Sequence, residues 1–190
     1  MNNESISESN AEFWNELCGS NLAKTLGILD SSVASLKKFD DWYFGFYPYL
    51  FKHIPFKELQ GKNALEIGLG YGTVSQRLAE SGANYTGLDI AAGPVEMVNH
   101  RLKQKNLPGN ALCGSILMPP LEPESFDTVI AIGCLHHTGD LQEAINSCWN
   151  LLKPGGTLHF MVYYAYSYRR FCQAPTATIS YMVKELSGYR

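Results

Sequence analysis

Residues Ala64-Leu65-Glu66-Ile67-Gly68-Leu69-Gly70-Tyr71-Gly72 constrain this chain more than any other stretch. A short apolar run carries an acidic residue near its end, and glycine then recurs at every second position. A helix-compatible segment follows from Thr73 to Ala79. The pattern predicts a buried strand that turns sharply beneath a nucleotide-like ligand. Glycine adopts backbone angles that other residues avoid, and it lets a ligand come close to the main chain. The next helix then starts with unpaired N–H groups facing that ligand. The bland alternative is a tight strand–helix turn that binds nothing.

Spacing separates the ligand classes. A dinucleotide-binding turn reads G-x-G-x-x-G. Here the third glycine arrives one place early, at Gly72, and Thr73 stands where the dinucleotide glycine belongs. A pyrophosphate calls for helix N–H groups and no nearby carboxylate, whereas a ligand with positive charge gains from an acidic neighbour such as Glu66.

Strands alternate with helices beyond this turn. Strands are expected at Asn63–Ile67, Asn84–Asp89, Asn110–Cys113, Phe126–Ile132 and Thr157–Tyr163. Helices are expected at Thr73–Ser81, at Pro94–Gln104 with Pro94 in its first turn, and at Asp140–Leu152. Such alternation implies right-handed crossovers and an α/β fold: a Rossmann-like, doubly wound, mostly parallel sheet with helices on both faces. The run Thr128-Val129-Ile130-Ala131-Ile132 suits a strand buried on both sides. The 190 residues are 45% hydrophobic, enough for one domain with a real core.

Three regions are expected. Residues 1–56 hold a disordered tail (1–10) and an aromatic helical cap, with helical pieces around Glu12–Leu17, Ala34–Phe39 and Phe46–Lys52. That cap either covers the sheet or closes over a ligand, since aromatic side chains offer large contact area. Residues 57–164 form the ligand-binding core. Residues 165–190 are a C-terminal extension in which Ile179, Met182, Val183 and Leu186 mark an amphipathic helix.

A net charge of -3 argues against a general nucleic-acid binder, with Arg169-Arg170 the nearest thing to a basic patch. The polar, acidic start MNNESISESN lacks the form of a secretory signal, and no apolar stretch is long enough to span a membrane. Five cysteines, odd in number and none spaced C-x-x-C, read as free thiols in a reducing cytosol, so the expected location is cytoplasmic. No metal site is expected: His136-His137 is the sole histidine cluster, and Cys134 beside it completes no known ligand spacing.

Asp89 closes the second strand, and adjacent strands of a parallel sheet end on the same edge, so its carboxylate belongs beside the glycine loop. There it can accept from both hydroxyls of a ribose; the alternative is a solvated carboxylate at a strand end.

The E-x-G-x-G-x-G form of the loop resembles motif I of the class I S-adenosylmethionine (SAM)-dependent methyltransferases. Phe126-Asp127-Thr128-Val129 resembles the family's fourth strand, Leu135-His136-His137 the element after it, and Leu152-Lys153-Pro154-Gly155-Gly156-Thr157-Leu158 the turn before its fifth strand. These run in order from Lys62 to Tyr163 and are most similar to the type 11 branch. The resemblance implies a methyltransferase moving a methyl group from SAM, leaving S-adenosylhomocysteine (SAH), to an unidentified small-molecule acceptor. It further implies that Glu66, Gly68, Gly70 and Gly72 border the methionine part, that Asp89 binds the ribose, and that Ile90 packs on the adenine. Gly114, Ser115 and Ile116 follow the adenine edge, and Gly133 and Cys134 line the pocket below the sulfonium. Many relatives carry Asp where Ser115 stands, and a neutral hydroxyl is the weaker acceptor.

His136 and His137 are candidates for a general base where the acceptor must lose a proton, and pocket lining is the alternative. Tyr163 and Tyr164 either line the acceptor site or pack at the edge. The family sheet continues with two more strands, which the 27 residues after Tyr163 do not resemble. The expectation is a fragment of a longer protein, or an edge built differently, with an exposed fifth strand that invites association. Two other readings stand beside the enzyme: a nonenzymatic SAM-fold binding module or inactive fragment, and a dinucleotide oxidoreductase, against which the glycine spacing counts.

Overall fold

The computed structural model describes residues 20–164 and 167–187; the expected helix at Glu12–Leu17 lies outside them. Strands β1 (Asn63–Ile67), β2 (Asn84–Asp89), β3 (Asn110–Cys113), β4 (Phe126–Ile132) and β5 (Leu152–Met161) form one sheet in the order β3-β2-β1-β4-β5. Every neighbouring pair is parallel. The chain winds outward from β1 through β2 to β3, then returns to place β4 on the other side of β1. The C-terminal ends of β1 and β4 therefore flank the point where strand order reverses, and open α/β sheets leave their crevice there.

Side-chain alternation feeds two cores. Ala64, Tyr85, Ala111 and Ile130 face one side, against Val74, Leu78 and Ala79 of α4 (Thr73–Glu80) and Val98 and Leu102 of α5 (Ala92–Gln104). Leu65, Ile67, Val129 and Ala131 face the other, against Ala144, Cys148 and Leu151 of α6 (Leu141–Leu151). Burial on both faces gives near-continuous apolar strands. Asp140 caps α6 by accepting from the Glu143 N–H at 3.0 Å, the local reason for that helix's start.

The fifth strand begins five residues before the sequence expectation and ends two residues sooner. Phe126 already pairs with Leu152, and the register then slips before Thr128 meets Thr157. The slip absorbs Pro154-Gly155-Gly156 as an irregularity inside the strand, with Gly155 at φ 81°. Lys153 donates to both oxygens of Asp127 at 3.0 and 2.9 Å, opposite that irregularity. Among the described residues β5 has one strand neighbour, and no strand follows it. The chain goes on into α7 (Tyr168–Gln173) and α8 (Pro175–Leu186), whose Ile179, Met182, Val183 and Leu186 are exposed.

Ahead of the sheet come α1 (Ser20–Thr25), α2 (Val33–Phe46) and α3 (Leu50–His53). The two expected pieces at Ala34–Phe39 and Phe46–Lys52 are divided differently. One 14-residue helix, capped by Ser32, takes in the first piece and continues to Phe46. Pro48 then forces the break, because the residue before a proline is steered out of the helical region. Among the described residues no helix is long and apolar enough to cross a membrane.

Two buried polar clusters tie these layers together. Arg101 of α5 is fully buried and binds both oxygens of Asp40 on α2, at 2.9 and 3.0 Å, and Oε1 of Gln76 on α4 at 3.1 Å. Asp40 also accepts from the Thr73 hydroxyl at 2.7 Å. In the second cluster Glu66 of β1 is 3% exposed and accepts from the Ser75 hydroxyl at 2.6 Å and the Tyr85 hydroxyl at 2.8 Å. Burial pushes the Glu66 carboxyl up to about 8, against the pull of those two donors and with a small push from the Asp89 charge.

Removing one partner of a buried pair strands the other charge, so Asp40→Ala is expected to lower unfolding free energy by about 3–5 kcal/mol in denaturant titrations. For Glu66 the folded value lies above the unfolded one near 4.5, so its contribution is complete below that value and is lost as pH rises toward about 8. Wild-type stability is therefore expected to fall between pH 5 and 8 relative to Glu66→Gln, which thermal melts of the two proteins across that range will show.

Candidate functional site

A cavity of about 880 Å3, counting its open mouth, lies at the C-terminal ends of β1, β2, β3 and β4. Of the residues singled out from sequence, Gly68, Gly70, Asp89, Ile90, Gly114, Ser115, Ile116, Gly133, Cys134 and His137 line it. Leu117, Thr138 and Pro94 also line it and were not foreseen. Pro94 carried a signal: it opens the helix after Asp89, so it had to stand near the end of β2. Leu117 and Thr138 sit in turns whose path only the folded sheet defines.

Glu66, Gly72 and His136 were expected at the ligand and do not line the cavity. The side chain of Glu66 points away into its cluster with Ser75 and Tyr85. Gly72, at φ 78°, is required for another reason: a Cβ there would meet Arg101 Cδ at 2.8 Å. The third glycine of the motif makes room for the buried guanidinium.

Gly68 sits at the crossing of β1 and β4. Its φ is 76°, and a Cβ there would collide with Cβ of Cys134 and stand 2.8 Å from its sulfur. The Cys134 thiol donates to the Ile67 carbonyl at 3.0 Å, and burial raises its pKa. It is a neutral, space-filling wall. Gly114 is equally confined, since a Cβ would lie 2.9 Å from Pro120 and 3.1 Å from Leu88. These contacts let main chain form the cavity surface where side chains would fill it.

Asp89 is aimed by its own backbone surroundings. Oδ2 accepts from the Leu69 N–H at 2.7 Å and Oδ1 from the Ala91 N–H at 2.9 Å. Burial raises the carboxyl pKa, opposed by the Ala91, Leu69 and Ile90 amides. Each oxygen keeps a lone pair, so a diol can still be held by both. Ser115 Oγ accepts from the Leu117 N–H at 3.2 Å, which spends a lone pair and leaves the O–H to donate.

The electrostatics of the wall are one-sided. Among the described residues Asp89 is its sole carboxylate, and no lysine or arginine lines it. Burial lowers the pKa of His137, which favours the neutral ring. A cation is therefore accommodated, whereas a pyrophosphate finds no positive side chain.

The profile of a family described as a methyltransferase domain, type 11, matches residues 65–160, just over half the chain. Among curated relatives, a ubiquinone biosynthesis O-methyltransferase of Coxiella burnetii is 34% identical over 102 residues, 54% of this chain and 44% of that protein. One of the same name from Pseudomonas fluorescens is 33% identical over 104 residues, with the same coverage. The matched stretch is thus under half the length of these relatives. Among solved structures, the SAM-dependent methyltransferase of Mesorhizobium loti superposes with a TM-score of 0.56 at 22% identity, over 63% of this chain and 54% of that one, a likeness of fold. A Haemonchus contortus phosphoethanolamine N-methyltransferase, solved with phosphomonomethylethanolamine and SAH, gives 0.54 at 25% identity, over 62% of this chain and 28% of that one. With the family profile matched from β1 to β5 and the sheet order and crevice in place, the chain belongs to the class I SAM-dependent methyltransferase family.

Proposed function

We propose that this chain binds SAM in the cavity at the β1–β4 reversal and transfers its methyl group to a small-molecule acceptor. The observation that carries the reading is the wall itself, which among the described residues offers main-chain glycine surface, one aimed carboxylate and no cationic side chain. Asp89 takes the ribose hydroxyls. Ile90, Ile116 and Leu117 offer apolar surface to the adenine, and the Ser115 hydroxyl donates at its edge. Gly68, Gly70, Gly133 and Cys134 border the methionine and sulfonium end. Glu66 acts from beneath, as a buried carboxyl whose ionised form a nearby cation favours.

SAM supplies an activated methyl group on a good leaving group. The residues of the chain have three tasks: to hold the reactants in line, to exclude water, and to leave the sulfonium unopposed by positive charge. The named activity of the O-methyltransferase relatives supports an oxygen acceptor.

Calorimetry tests the reading. SAM and SAH are expected to bind, NADH is not, and Asp89→Ala is expected to weaken both sulfur ligands by about 1–3 kcal/mol, the scale for leaving a buried partner unpaired. Equal affinity of wild type and Asp89→Ala, or preference for NADH, contradicts the assignment.

A further inference from the structure

The cap has a small core of its own, where Ala23 of α1 and Ile28 beyond it meet Phe39 of α2. Among the described residues, Tyr71 is the one residue from outside the cap that packs into this cluster, and it comes from the middle of the glycine motif. Its ring stands 4.3 Å from that of Phe39, and the guanidinium carbon of Arg101 lies 5.6 Å from its centre. Ring stacking and a cation over a ring face both fix where the ring sits. From Phe39, α2 runs on to Tyr43, whose ring is 5.0 Å from that of Tyr47. Tyr163 is near enough to Tyr43 to influence it electrostatically, and its hydroxyl reaches to 3.6 Å from where a Cβ of Gly133 would be. One helix thus meets the glycine loop at its middle and the ring-lined, Gly133 end of the cavity near its close.

The turn that carries Tyr71 is tight. The Gly72 N–H donates to the Leu69 carbonyl at 2.9 Å, so Gly70 and Tyr71 are its two corner residues, with Gly70 at φ 52°. Both neighbours of Tyr71 on the N-terminal side work at the crevice. Gly70 lines the cavity, and the Leu69 N–H donates to Oδ2 of Asp89 at 2.7 Å. A four-residue turn closed by its own hydrogen bond moves as a unit, so a shift of the Tyr71 ring reaches the amide that aims Asp89. The other links between cap and loop stop short of the cavity. Asp40, next to Phe39, binds Arg101 and Thr73, and neither of those lines it. They fix where α2 stands, and the ring of Tyr71 carries the contact into the turn.

We propose that Tyr71 is a positioning residue for the cofactor: seated in the cap, its ring holds the Leu69–Gly72 turn in the form that aims Asp89, and an occupied cavity in turn holds α2 in place. This rests on the methyltransferase reading and adds to it a link between cofactor and cap. The link is reciprocal, because two sites that favour each other share one coupling free energy. Its consequence is an order of events. With the cofactor bound, the rings that α2 brings to the Gly133 end are already ordered, so a small-molecule acceptor meets a smaller entropy cost than it would on the empty protein. Tyr71 touches no reacting atom and acts through Leu69 and Gly70.

The experiment reads SAH affinity and amide hydrogen exchange together in the full chain. Calorimetry gives the affinity of wild type, Tyr71→Phe, Tyr71→Ala and, from the cap side, Phe39→Leu. Exchange along α2 is then followed in each protein, free and saturated with SAH. In wild type and in Tyr71→Phe, which keeps the ring, SAH is expected to slow exchange along α2. Tyr71→Ala should bind SAH about 5–150-fold more weakly, the usual span for coupled sites. It should also lose most of the slowing at α2 while keeping it around Gly68 and Asp89. Phe39→Leu should weaken SAH in the same direction although Phe39 does not line the cavity, and it carries the test if Tyr71→Ala does not fold. A Tyr71 that merely packs would change the exchange of free and loaded protein alike. Wild-type affinity in Tyr71→Ala or Phe39→Leu, or slowing at α2 that survives in Tyr71→Ala, therefore overturns the positioning role. Equal losses in Tyr71→Phe and Tyr71→Ala overturn the ring as the link. Wild type that binds SAH with no slowing at α2 overturns the coupling. A chain that binds no SAH overturns the cofactor reading, and this inference with it.

Discussion

The glycine loop keeps its path because a guanidinium lies buried beneath it. Arg101 has no solvent to stabilise its charge, so it depends on Asp40 and Gln76. Those two partners belong to the cap helix α2 and the first crossover helix α4, and Arg101 itself to α5. One charge thus fixes three helices relative to one another. A buried ion pair is weak as a source of net stability, because desolvation consumes most of the attraction, but its geometry is exacting. Gly72 yields to that geometry, and the turn above it brings Gly70 and Gly68 to the crevice.

Charge is distributed around the crevice in the same economical way. Glu66 and Asp89 lie near the ends of neighbouring strands, and the Asp89 charge raises the cost of ionising Glu66. Among the described residues neither is met by lysine or arginine: Asp89 is held by amides, Glu66 by hydroxyls. Amides and hydroxyls position a carboxylate without neutralising it. With the Glu66 carboxyl pushed up to about 8, the negative potential of the cavity rests on Asp89, and it acts on a ligand more strongly there than it would in water.

How far the sequence revealed this depended on the range of the forces involved. The limits of β1 to β4 were legible residue by residue, because two-sided burial imposes an apolar run and glycine, proline or asparagine punctuates its ends. The fifth strand was misjudged because Pro154-Gly155-Gly156 reads as a turn, while the pairing of Phe126 with Leu152 carries the ladder past it. In the cap, local propensity found helices but misplaced their division, and α2 packs on the glycine loop through contacts such as Phe39 on Tyr71 at 4.3 Å. Glu66 and Gly72 matched a motif correctly for an unforeseen reason. Their partners Tyr85 and Arg101 lie 19 and 29 positions away, and no spacing rule reports that a glycine is needed for an arginine's methylene.

This difference in range divides the site into two halves. The half proposed for the cofactor is made by strand ends and the turns immediately after them, so register sets Gly68, Asp89, Gly114 and Gly133 around one cavity. Any chain that keeps the sheet keeps that half, and a family profile spanning β1 to β5 detects it. The ring-lined half comes from the cap, from the short 3-10 turn Leu135–His137 and from Tyr163 beyond the end of β5. Nothing in the sheet register dictates those residues, so they are free to differ between chains that share the fold. The cap and Tyr163 lie outside the residues that the family profile matches, whereas the turn Leu135–His137 lies inside them. Residues outside the strand ends, such as those of the cap and Tyr163, are therefore where chains sharing this sheet are free to diverge.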